Sequence, residues 1–193
     1  MSLHPAQNRG FRELVAAMRH VIDHFEALAG RFDGDALADG AATARRMLGE
    51  IRAAIAKHDL HGGRAAQGVG ASLAGARGGV GDRFLERNQA LRMAVLDVQH
   101  AVTLLAYLET VSRTHGTDDL AALCHGWHGE LSLVEERVRA AATALGTDPD
   151  AAIEPLDAST FGRAAQSVGY WVGTFGEWFD RRQADKGTGP GGP

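Results

Sequence analysis

The apolar residues of this chain recur three and four positions apart, and nowhere do they alternate one by one over a strand's length. Between Leu120 and Leu145 the stripe is Leu120, Cys124, Trp127, Leu131, Val134, Val138, Ala141 and Leu145. Fours and threes in turn make the seam of a helix packed lengthwise on another. Phe11, Leu14, Val15, Met18, Val21, Ile22, Phe25 and Leu28 form a second stripe, closed by Gly30. Leu37, Ala41, Ala44, Leu48, Ile51 and Ile55 form a third, with Asp33 or Asp35 placed to cap it. Leu85, Leu91, Val95, Val98, Val102, Leu105, Leu108 and Val111 leave only a narrow polar strip on a helix expected from Asp82 to Gly116. A helix apolar over most of its circumference belongs at the centre of a bundle. The following helix opens at Thr117 or Asp118 and ends at Gly146, and Asp148-Pro149 starts a short one. The pattern predicts an all-α fold.

The connections predict how these helices are paired. The short Arg31–Asp35 link makes the first two antiparallel neighbours, and the turn at Gly116 does the same for the third and fourth. Residues 61–81 join the two up-down pairs, and eight of the twenty residues from Gly62 to Gly81 are glycine. That composition suits a crossover with almost no side chains. A last helix is expected from about Ser159 to Arg182, with Phe161, Ala165, Val168, Val172, Phe175 and Phe179 on its seam and Trp171 and Trp178 beside it. The expected organisation is a flexible N-terminus over 1–10, one helical-bundle domain over 11–183, and a disordered Gly/Pro-rich tail over 184–193.

Composition narrows the function classes. A chain of 193 residues with 45% hydrophobic and 23% charged residues suits one soluble domain. A net charge of −4 lacks the basic footprint of a nucleic-acid binder. The single cysteine, Cys124, excludes an intrachain disulfide framework and a Cys-rich zinc site. The polar Met1–Gly10 stretch lacks the apolar run of a secretory signal, and Ala101–Leu108 is too short to span a bilayer, so a cytoplasmic location with no membrane partner is expected. Gly68-Val69-Gly70 lacks the third glycine of a dinucleotide fingerprint, and Ala76-Arg77 stands where a phosphate loop after Gly70 and Gly75 needs Lys and Ser/Thr.

Candidate chemistry lies on the third and fourth helices. Asp97 and His100 are three apart and share a face; antiparallel pairing about Gly116 sets Asp97 level with Glu135 and His100 level with Ser132. His128 and Glu135 share a flank of the fourth helix. Asp97 falls in the apolar arc, where an unpaired carboxylate is costly, and a metal, His128 or Arg139 could satisfy it. Asp97, His100, His128 and Glu135 are therefore the candidate metal ligands. His20 and His24 are one turn apart, but a wheel centred on Met18 and Ile22 sends them to solvent. Cys124 sits on a core seam as a small apolar residue. Tyr170, Trp171, Phe175, Trp178 and Phe179 offer more aromatic surface than one seam buries, and form the candidate interface for a homo-oligomer or a protein partner.

Two antiparallel helices, a long crossover, two more antiparallel helices and a terminal element resemble the ferritin-like four-helix-bundle superfamily over residues 11–145. Val98-Gln99-His100 and the Glu130, Glu135 and Glu136 region look like places where that superfamily carries Glu and Glu-x-x-His ligands. No Glu-x-x-His occurs here, position 99 is Gln, and Glu13 and Glu26 lie off the core face of the first helix. The resemblance thus implies a branch that lacks the usual di-iron site or has remodelled it. Three functions are expected in order: a non-catalytic bundle acting through association, a remodelled metalloprotein holding Fe, Mn or Zn, and a small-molecule binder.

Overall fold

The structure is a computed structural model that describes residues 3–58 and 85–156. The Gly-rich segment 61–81, the aromatic segment 159–182 with Tyr170, Trp171, Phe175, Trp178 and Phe179, and the tail 184–193 lie outside the described residues. Within them the fold is all-α. Four long helices, α1 (Pro5–Ala29), α2 (Ala36–Lys57), α3 (Arg87–Thr114) and α4 (Asp118–Ala144), are followed by a 3-10 turn (Leu145–Thr147) and a single helical turn, α5 (Pro149–Ala152). The described residues hold no strand. A lone antiparallel bridge between Glu86 and Pro155 ties the start of α3 to the chain beyond α5.

Two helix starts differ from the sequence expectation. Residues 5–10, assigned above to a flexible N-terminus, are helical. Pro5 occupies the first turn, His4 Nδ1 accepts from the Ala6 amide at 3.2 Å, and Gln7 Oε1 accepts from the His4 amide at 3.0 Å. These bonds satisfy amides that a helix start leaves orphaned. Gln7 is itself buried, and its amide nitrogen donates to Thr117 Oγ1 at 2.6 Å and Ser112 Oγ at 3.3 Å. Gln7 is the one polar side chain of this turn that is buried, and it is satisfied by the hydroxyls at the far end of α3. The third helix begins at Arg87, not just after Asp82, with extended Glu86 as its cap and Gln89 Oε1 accepting from the Glu86 amide.

Each long helix packs against two others: α1 against α2 and α3, α4 against α2 and α3. Their senses follow from the pairs that cross between them. Asp39–Arg137, Arg46–Glu130, Glu50–Trp127 and His58–Asp119 run in opposite order along α2 and α4. Arg31–Arg87, His24–Asp97 and Gln7–Ser112 do the same along α1 and α3. Hence α1 and α4 point one way, and α2 and α3 the other. The last turn of α2 lies beside the start of α4, whereas α3 starts beside the α1–α2 turn, at the opposite end.

The core gathers the stripes read from sequence. Phe11, Leu14, Met18 and Phe25 of α1, Met47 and Ile51 of α2, Leu91, Leu105 and Leu108 of α3, and Leu120 and Leu131 of α4 are all fully buried. Each such side chain contributes about 1.5–3 kcal/mol relative to exposure. Gly40 lets α2 close on its neighbours: a Cβ there would stand 2.6 Å from a Phe25 ring carbon and 3.0 Å from Val134 Cγ1. Gly116, at φ +67°, makes the turn between α3 and α4. By length and composition α3 could cross a membrane, but half of its apolar window is buried inside the bundle. The core helix of a soluble protein meets the same criterion.

Candidate metal centre

Asp97 occupies the strip of α3 that faces α1. Further along this strip, Leu108 approaches Gly10, and Ser112 accepts from Gln7. Ala94 and Ala101, one turn to either side of Asp97, are fully buried and leave no bulk around the carboxylate. From α1, His20 and His24 reach across one turn apart, as the helical repeat allows. His24 Nδ1 lies 2.7 Å from Asp97 Oδ2, and His20 Nε2 lies 3.2 Å from the same oxygen. The two imidazole rings are 5.7 Å apart between centroids. The three side chains each offer one donor atom, and these all lie within 4.8 Å of one another.

The inner side of the cluster is closed and the outer side is not. The side chains of His24 and Asp97 are 5% and 7% exposed, and that of His20 is 18% exposed. Burial works against ionisation of Asp97, but hydrogen bonds and charge from His20 and His24 outweigh it and hold the carboxyl down at about 2. The group is therefore a carboxylate across the physiological range. His24 Nε2 is buried with no hydrogen-bond partner. An orphaned buried nitrogen costs about 1–3 kcal/mol; this one lies on the ring edge away from the Nδ1 that meets Asp97.

Chemically, two imidazole nitrogens and one carboxylate oxygen are donors suited to iron, manganese or zinc. The N···O separations of 2.7 and 3.2 Å bracket the spacing of about 3 Å between adjacent ligands placed about 2.1 Å from an octahedral metal. No other group of three His, Cys, Asp or Glu side chains among the described residues converges in this way.

The four ligands expected from sequence do not converge. Asp97 is in the cluster. His100 is exposed, and its Nε2 lies 3.3 Å from Glu13 Oε1 of α1. Glu135 is engaged by Arg139, one turn further along α4. His128 is half-buried, and its backbone carbonyl accepts from Ser132 Oγ at 2.7 Å. Pairing within the α3–α4 hairpin was the wrong frame, because Asp97 looks toward α1. The placement of His20 and His24 in solvent is corrected as well. Helix α1 has two neighbours, α2 and α3, so its contact surface extends past the apolar stripe to the flank where both histidines lie. The signal available was a buried carboxylate in need of a partner, together with a one-turn histidine pair on another helix. Cys124 is buried, and its thiol is pushed up to about 12 by that burial and by the charge of Glu109, which leaves it protonated and unreactive.

Comparison with family models, with curated proteins and with solved structures finds no match for this chain.

Proposed function

We propose that this protein is a metal-binding helical bundle that holds one divalent transition metal, Fe, Mn or Zn, between α1 and α3 through His20, His24 and Asp97. The observation that carries the reading is the meeting of three donors from two helices at one point, with His24 and Asp97 buried and His20 partly open. The helix senses support a ferritin-like arrangement, because α2 ends at the opposite end of the bundle from the start of α3. The ligand set is then a remodelled one, sited on the α1–α3 seam and free of any Glu-x-x-His.

The test is thermal unfolding of metal-stripped protein with and without Fe(II), Mn(II) or Zn(II). A metal at a hundred times its Kd adds about 2.7 kcal/mol and raises Tm. The rise is expected to vanish in His24→Gln. No rise with any of the three metals removes the reading.

A second reading is association with another copy or another protein. It has in its favour Leu96 and Tyr107, which are 47% and 48% exposed on the outer face of α3. Sedimentation of wild type against Leu96→Ser/Tyr107→Ser checks it, and a monomer in both cases counts against self-association.

A further inference from the structure

We propose that the metal held by His20, His24 and Asp97 keeps open coordination positions on its solvent side and takes a small monoanion there, such as azide, formate or another short carboxylate. The inference rests on the metal reading above. Three protein donors leave a four-coordinate metal one ligand short and a six-coordinate metal three short, and no fourth His, Cys, Asp or Glu joins the group among the described residues. The vacancy has a direction. His24 and Asp97 close the inner side, while His20 is the partly exposed member. Beyond Asp97 the same seam carries the exposed His100–Glu13 pair, so the surface beside the cluster is polar. The charge has a sign. Two neutral imidazoles and one carboxylate around a divalent ion leave one net positive charge. In a half-buried site that charge attracts a monoanion more strongly than it would in water.

Cobalt(II) added to metal-stripped protein, followed by azide, tests the proposal through visible absorption. The expected result is a set of cobalt bands that shift on titration with azide and saturate with a single Kd. In His20→Gln, whose side chain is partly exposed and whose fold is checked by circular dichroism, cobalt binding is expected to weaken by at least about 10–100-fold, as metal sites do when even an outer partner is lost. Cobalt bands that azide leaves unchanged overturn the inference and leave the metal reading standing. An equal azide response in His20→Gln places the cobalt at another histidine and overturns the inference. Absence of cobalt bands in wild type removes both readings.

Discussion

Asp97 is a carboxyl that burial disfavours and two histidines rescue. Its value in the fold, about 2, lies below its ordinary 3.8. A carboxyl depressed in this way stabilises the fold above its unfolded value, and the contribution is lost as pH falls from near 4 through 2. The shift corresponds to about 2 kcal/mol. Asp97→Asn is therefore expected to flatten the fall of the urea midpoint between pH 4 and pH 2, and to lower stability at pH 7 by about 1–3 kcal/mol. An unchanged acid profile would show that His20 and His24 do not hold the carboxylate. In the sequence, the need of Asp97 for a partner was legible from its place in an apolar arc. The partner was not, because a helical wheel describes one helix and the two histidines came from another. The wheel centres a single stripe, whereas a corner helix such as α1 buries two flanks.

At the scale of the element, the four long helices were legible because their stripes bury against neighbours over many turns. Their ends were less so. Residues 5–10 hold no apolar stripe, and their helix depends on the His4–Gln7 cap and on Gln7 reaching Ser112 and Thr117. Glycines inside α2 separate the two influences on a helix, packing and propensity. At Gly40 an added methyl meets the Phe25 ring and Val134, so Gly40→Ala is expected to cost about 1–3 kcal/mol. At Gly49 the methyl meets nothing within 4 Å, so Gly49→Ala is expected to gain up to about 1 kcal/mol from helix propensity. Thermal melts of the two single variants check the opposite signs.

At the scale of the whole molecule, the bundle is two antiparallel pairs laid side by side. The α1–α2 and α3–α4 pairs are each joined by a short turn, and α1 meets α3 only across a long stretch of chain. His24 and Asp97 are 73 residues apart in sequence. Contacts so distant carry a high entropic cost of closure and belong late in folding. A ligand that needs both halves can recognise only a chain whose halves have already docked. Metal is then expected to leave the refolding rate in stopped-flow mixing unchanged and to slow unfolding. Equal acceleration of refolding would place the α1–α3 seam in the folding nucleus. A bound ion would then govern the lifetime of the assembled bundle, and the chain alone would set the time taken to reach it.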